Sequence, residues 1–230
     1  LPRTVWGHGF VHMGGEKMSK TRGGAVDPVG LADEYGADAL RYFLLREVPF
    51  DRDGEFTLEK FRARYSADLS NDLGNLCQRT LILATKYLDG AIPRPSADQG
   101  GADGELRAAL LGAADRYRAE MEAMRFSQAL EGLWAVVGRC NRYVDESAPW
   151  KLRKDPGGAG RFAGVVYNLC EALRILSVLV SPFMPETAGR MRTQLGLPAG
   201  LGCGALDGAG RFGVLEPGTP LGEVKALFPR

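Results

Sequence analysis

From Thr57 onward the apolar residues of this chain recur at steps of three and four: Leu58, Phe61, Tyr65, Leu69, Leu73 and Leu76. That spacing gathers them on one face of a helix, whereas a strand would scatter them over both faces of a sheet. The run reaches about Leu88, with Thr57 as its N-cap, and stops at "DGAIPRPSADQGGADG", a stretch of helix breakers. The same periodicity predicts helices over residues 105–124, 127–146, 159–180 and 185–195. Ser127, the Pro149 region, Gly157–Gly158 and the Pro182/Pro185 pair mark their ends. An antiparallel bundle is what such a series can build.

Before Thr57 the character differs. Residues 4–13, "TVWGHGFVHM", are rich in β-branched and aromatic residues and predict a strand. "DPVGLADEYGADALRYFLL" reads as two short helices, the first capped by Asp27 with Pro28 at its first position, and Gly36 breaks between them. Ala39, Leu40, Phe43 and Leu44 form an apolar stripe on the second. "VPFDRDGEFT" is a turn and a short extended piece, and the tail from Gly196, rich in Gly and Pro, is expected to be an irregular strap. The fold class is therefore mainly α: a small α/β segment over residues 1–55, a helical domain over 56–195 and a strap over 196–230.

Composition narrows the partners. With 29 basic and 28 acidic residues the net charge is +1, so any nucleic-acid contact must come from a local patch and fall with salt. Cys77, Cys140, Cys170 and Cys203 are scattered and suit neither a zinc site nor a disulfide scaffold; they read as buried, inert thiols in a reducing cytoplasm. The start has no charged segment followed by an apolar core, and the longest apolar run, near "ILSVLV", is short for a membrane span. A cytoplasmic location is expected. His8 and His12 would lie on one side of the predicted strand but about 13 Å apart, too far to share a metal, so no metal site is expected. Asp145 and Glu146 have the composition of an acid/base pair, but nothing near them suggests catalysis.

Two constellations carry chemistry. The first is "GGEKMSKTRGG", Gly14 to Gly24, which holds two of the seven lysines in a chain that otherwise prefers arginine. Lys17 and Lys20, on a loop hinged by glycine pairs, can follow a phosphate whose position changes during reaction, with Ser19 and Thr21 as hydroxyl donors. On charge and glycine alone, a solvated basic turn is the other reading. The second is Asn75 and Arg79, one helical turn apart, together with Pro149–Trp150. An exposed polar face and a core tryptophan are the plain readings; an aromatic platform beside polar readers is what single-stranded RNA recognition uses.

The order of the segments is more specific than any one of them. "GHGFVHMGGEKMSKTRGGAVDP", "YGADALRYFLL", "FTLEKFRARYSADLSNDLGNLCQRT" and "NRYVDESAPW" together resemble methionyl-tRNA synthetases, class I enzymes, and the resemblance covers nearly the whole chain. It implies that residues 1–55 are the end of a Rossmann-type catalytic core with a stem-contact region, and that the bundle binds the anticodon. Lys17 and Lys20 match the catalytic lysines of the Lys-Met-Ser-Lys-Ser signature, and Lys17, Met18, Ser19, Lys20 and Thr21 match its ATP-binding loop, with Thr21 in place of the last serine. Asn75, Arg79, Pro149 and Trp150 match the positions that recognise the CAU anticodon, Trp150 as the stacking platform and Asn75 and Arg79 as readers. Asp145 is expected to support the Trp150 region.

The reaction implied is ATP-dependent attachment of methionine to its tRNA through methionyl-adenylate, with ATP and Mg2+ in the full enzyme. The His-Ile-Gly-His signature of class I synthetases appears nowhere in these residues, and the zinc knob of some subgroups would lie before Leu1. The chain, which starts at Leu1 in strand-like sequence, is thus read as a C-terminal piece that lacks aminoacylation activity alone. Leucyl, isoleucyl and valyl synthetases share the loop and remain the alternative, as does a non-catalytic tRNA-binding module.

Overall fold

The computed structural model describes residues 1–13, 16–17, 27–97, 100–198 and 205–229, and the helices expected from apolar periodicity are present in it. A small sheet comes first. β1 (Val11–Met13) pairs antiparallel with β2 (Glu16–Lys17) and parallel with β3 (Gly54–Glu55), in the order β2-β1-β3. The parallel pair needs a crossover, which α1 (Pro28–Tyr35) and α2 (Ala37–Glu47) supply.

The strand expected over residues 4–13 forms only at its end. Val5, Trp6 and Phe10 are exposed, and β propensity without a neighbouring strand makes no sheet. At Phe10 the chain is hydrogen-bonded to the segment that carries β3: its N–H donates to Asp53 Oδ1 at 2.7 Å and its carbonyl accepts from the Gly54 N–H at 2.9 Å.

Asp27 caps α1, its Oδ1 accepting from the Val29 N–H at 3.0 Å, and Pro28 follows as the first helical residue. Gly36 turns the chain between α1 and α2 at φ +88°, where a side chain would be strained. Three side chains then fasten α2 into the bundle. Buried Asp38 accepts from the Thr187 N–H at 2.6 Å, Arg41 donates to the carbonyls of Pro182 and Phe183 at 2.8 Å each, and the Tyr42 hydroxyl donates to Asp68 Oδ2 at 2.6 Å.

The single helix expected from Thr57 to about Leu88 is three pieces. Thr57 Oγ1 caps α3 (Leu58–Arg64), accepting from the Lys60 N–H at 3.1 Å. A π-helical segment, Tyr65–Gly74, follows, and α4 (Asn75–Tyr87) continues from it. Apolar steps of four fit the wider π turn as well as an α turn, so periodicity does not separate them. Two carbonyls of the π segment are met from outside: Asp68 O accepts from Trp134 Nε1 at 3.2 Å and Asp72 O from Asn141 Nδ2 at 3.4 Å.

The rest of the bundle is α5 (Gly101–Glu122), α6 (Phe126–Ser147), α7 (Pro149–Leu152), α8 (Ala159–Val180) and α9 (Pro185–Gln194), with a short α10 (Ala205–Ala209) in the strap. Ser127 does not cap α6. It lies inside the first turn with its hydroxyl on Gln128, because the preceding turn is closed by backbone, Arg125 N donating to Glu120 O at 2.9 Å.

α8 is the axis of the bundle. Every residue from Gly164 to Val180 is buried. By length and composition this helix would cross a membrane, with mean hydropathy 1.6 over its most apolar window, but 94% of that window is buried inside the bundle. The reading from "ILSVLV" saw a shorter run because Glu171, Arg174 and Ser177 interrupt it, and each of these polar groups is satisfied internally. Glu171 accepts from Arg174 at 2.8 Å and from the Val214 N–H at 2.7 Å, while Arg174 donates to Gly208 O at 2.9 Å, so a buried ion pair ties the strap to the core. Cys77, Cys140 and Cys170 are buried free thiols; burial pushes Cys77 and Cys140 up to about 12 and Cys170 higher, which keeps them protonated and inert. Cys203 lies outside the described residues.

A second buried network joins α5, α6 and α8. Asp103 accepts from the Gly100 N–H at 3.1 Å, from Tyr143 at 2.5 Å, and from both Arg161 terminal nitrogens at 2.6 and 2.9 Å, and Asn168 donates to Tyr143 at 3.0 Å. Burial acts to raise the Asp103 carboxyl, but the hydrogen bonds from Arg161 and Tyr143 outweigh it and hold the group below the usual carboxylate range. Its stabilisation is thus present above the unfolded value, about 4, and drains away as pH falls through the lower folded value. Asp103→Asn is expected to cost about 3 kcal/mol or more in urea unfolding at neutral pH, since it leaves Arg161 without its counter-charge. The variant should also lack that portion of the acid dependence; a loss below 1 kcal/mol would show the network to be dispensable.

Candidate nucleic-acid interface

Asn75 and Arg79 stand where the π segment hands over to α4. Gly74 precedes them, and a Cβ there would lie 2.9 Å from the Leu69 carbonyl and 3.4 Å from the Phe228 ring, so only glycine lets the turn and the strap approach this closely. Asn75 is exposed and Arg79 is half-buried one turn further on the same face.

The other half of the site comes from the junction of α6 and α7. Ala148 takes φ +41°, a left-handed conformation that costs a residue with a Cβ about 1–2 kcal/mol. Its N–H donates to Val144 O at 3.1 Å, ending α6, and buried Pro149 starts α7. This reversal presents Trp150, 44% exposed, to α4. The Arg79 guanidinium carbon lies 5.9 Å from the Trp150 ring centroid, within cation–π range, and Arg79 Nη2 donates to Asp145 Oδ1 at 3.4 Å. Carboxylate, guanidinium and indole thus form one chain, through which Asp145 reaches the Trp150 region. Glu146 turns away and accepts from Arg139 at 2.9 Å, so Asp145 and Glu146 do not act as a pair.

On the other side of Asn75 is a cleft of about 200 Å3, with Asn75 and Gln78 on the helix and Leu227 and Phe228 of the strap opposite. Neither Gln78 nor the strap was singled out from sequence. Gln78 carries a legible signal, three residues after Asn75 on the same face; the return of the strap across a gap of about 150 residues does not. An exposed indole backed by a guanidinium, flanked by amide side chains and a cleft, can stack a base and read its edges.

The loop constellation is placed only at its start. The Lys17 backbone pairs with His12 at the end of β2; the Lys17 side chain, and Met18, Ser19, Lys20 and Thr21, lie outside the described residues. His12 is in β1, with Nε2 3.1 Å from Asp53 Oδ2, whereas His8 precedes the strand, so the strand-spacing argument does not apply to the pair. Among the described residues no three His, Cys, Asp or Glu side chains converge as a metal-ligand set.

The chain is similar to known proteins along its whole length. The model of class I tRNA synthetases (M) matches residues 1–81, and the model of the anticodon-binding domain of methionyl-tRNA ligase matches residues 92–229. The chain is 45% identical over 230 residues to the methionine–tRNA ligase of Caldanaerobacter subterraneus subsp. tengcongensis, covering 100% of this chain and 35% of that protein. It is 44% identical to that of Bacillus subtilis, covering 34% of it. The chain thus spans about a third of the length of these relatives. Among solved structures it is similar to Mycobacterium tuberculosis methionyl-tRNA synthetase in complex with methionyl-adenylate (TM-score 0.90, 42% identity, 100% of this chain and 45% of that one). The apo form of that enzyme gives a TM-score of 0.87 at 40% identity, covering 100% of this chain and 44% of that one.

The Asp145 and Trp150 partners of Arg79 are both exposed. Arg79→Ala is therefore expected to change the free energy of unfolding by no more than about 1 kcal/mol. A loss above 3 kcal/mol in urea melts would show that Arg79 holds the fold rather than a ligand.

Proposed function

This chain belongs to the methionyl-tRNA synthetase family, and we propose that it serves a methionine–tRNA ligase by reading the CAU anticodon and by contributing the phosphate-binding loop of methionine activation. The observation that carries the reading is the convergence of Arg79, Asp145 and Trp150 from three helices, α4, α6 and α7, onto one exposed face. An unstacked anticodon base lies on the Trp150 indole, and Arg79 and Asn75 read base edges beside it. Arg79 is held in place by Asp145 before RNA arrives, which lowers the ordering cost of binding. Pro149, fixed at the first position of α7, sets the angle of the platform.

In the proposed reaction a methionine carboxylate oxygen attacks the α-phosphorus of ATP, the bond to the β-phosphate breaks, and pyrophosphate leaves. A terminal ribose hydroxyl of the tRNA then attacks the methionyl carbonyl and AMP departs. Lys17 and Lys20 neutralise the charge that builds on the departing pyrophosphate, with Met18 spacing them and Ser19 and Thr21 donating to phosphate oxygens. Thr21 keeps the hydroxyl of the family's serine. Mg2+ enters with ATP as part of the substrate, and the described residues supply neither it nor zinc with a ligand set. The family match favours methionine over the leucyl, isoleucyl and valyl enzymes. A cytoplasmic setting, where tRNA and ATP are available, fits the proposal.

Trp150→Ala is expected to weaken binding of a CAU anticodon stem-loop by about 1–3 kcal/mol and to flatten the preference over altered anticodons. An unchanged preference would refute the platform. In the intact ligase, Lys20→Ala should cut ATP–pyrophosphate exchange by about 100-fold or more with tRNA affinity nearly intact. Unchanged exchange would remove Lys20 from the reaction.

A further inference from the structure

α4 and α7 meet a second time, beyond the Trp150 site. Tyr87, the last residue of α4, is eight residues past Arg79, about 12 Å along the helix. The guanidinium carbon of Arg153, the residue that ends α7, lies 4.5 Å from the Tyr87 ring centroid, and Lys86 Nζ lies 5.5 Å from the same centroid. The pairing is reversed relative to the first site. There α4 gives the arginine and α7 the aromatic; here α7 gives the arginine and α4 the aromatic.

Tyr87 is 37% exposed and packs edge-on against Phe162 of α8, at 6.3 Å between centroids, so its position is fixed while part of the ring faces solvent. Lys86 and Arg153 are exposed, and among the described residues neither has a carboxylate within ion-pair distance. Arg79, by contrast, has Asp145. Two cations thus converge on one exposed ring, and among the described residues neither is held in an ion pair.

We propose that Tyr87, Arg153 and Lys86 bind a nucleotide that neighbours the base stacked on Trp150, the ring and guanidinium taking its base and the two cations its phosphate. The proposal rests on the Trp150 reading and extends it along α4. Stacking and phosphate contacts tolerate any base, so this subsite contributes affinity and leaves anticodon discrimination to Asn75, Arg79 and Trp150.

The test is equilibrium binding of fluorescent anticodon stem-loops, with CAU and with altered anticodons, to the full chain over a range of salt concentrations. Arg153→Gln and Tyr87→Ala should each weaken binding about fivefold or more, equally for all loops. Arg153→Gln should also reduce the slope of log K against log salt by about 0.7, whereas Arg153→Lys keeps the slope. Tyr87→Phe should bind as the original. A purely structural role for Arg153 would leave the salt slope unmoved. If Arg153→Gln keeps both affinity and slope while Trp150→Ala has lost discrimination, the subsite is refuted and the Trp150 reading stands. If Trp150→Ala also binds with unchanged preference, the reading falls and takes this proposal with it.

Discussion

The face that carries Asn75, Arg79 and Trp150 inherits its geometry from two hydrogen bonds between α6 and the π segment. In a π turn the backbone N–H reaches one residue further back than in an α turn. Trp134 and Asn141, seven residues apart on one face of α6, donate to two carbonyls of the π segment, Asp68 O and Asp72 O. These bonds tie α6 to the π segment from which α4 continues. The same α6 ends at the left-handed Ala148, which aims Trp150. The same helix thus touches both halves of the site, in which residues 71 positions apart lie within cation–π distance.

Rigidity beneath the site comes from a helix buried on every side. α8 has no solvent face along most of its length, so α4, α5, α6, α9 and the strap must enclose it. Its polar residues specify how. Glu171 and Arg174 bind backbone groups of the strap, and Asn168 joins the Tyr143–Asp103–Arg161 network that pins α5 and α6. Buried charges of this kind cost free energy when unpaired, so they favour one arrangement over its near alternatives. At the opposite end of the chain, α2 is bound to Thr187, Pro182, Phe183 and Asp68. The loop-bearing sheet is thus mechanically connected to the bundle, and Asp68 touches both that connection and the π segment.

Much of this was legible in the sequence, for identifiable reasons. Asp27, Pro28, Gly36 and Thr57 act locally, through their own backbone and the next turn, and local chemistry is what sequence displays. Steps of three and four located the helices because each buries one face. What was not legible depends on distant partners. The strand over residues 4–13 is confined to Val11–Met13, and among the described residues no strand lies beside its first part. The π segment was not legible because apolar steps of four suit it and an α-helix alike, and its bonds to α6 come from residues distant in sequence. Asn75, Arg79 and Trp150 were singled out through their order in the chain, but their common face, the Asp145 contact, the cleft at Gln78 and the second crossing at Tyr87 and Arg153 needed the fold.

We propose that this face reads single-stranded RNA by base identity and not by charge alone. Equilibrium binding of the unmodified chain to anticodon stem-loops, at one fixed ionic strength, tests it most directly. The loops should carry CAU or a single change at each of its three positions. We predict a preference for CAU of about tenfold or more over at least one changed loop, the size of one lost base contact. Equal affinity for all of them would contradict the account, because a basic surface holding RNA only by its phosphates shows no such difference.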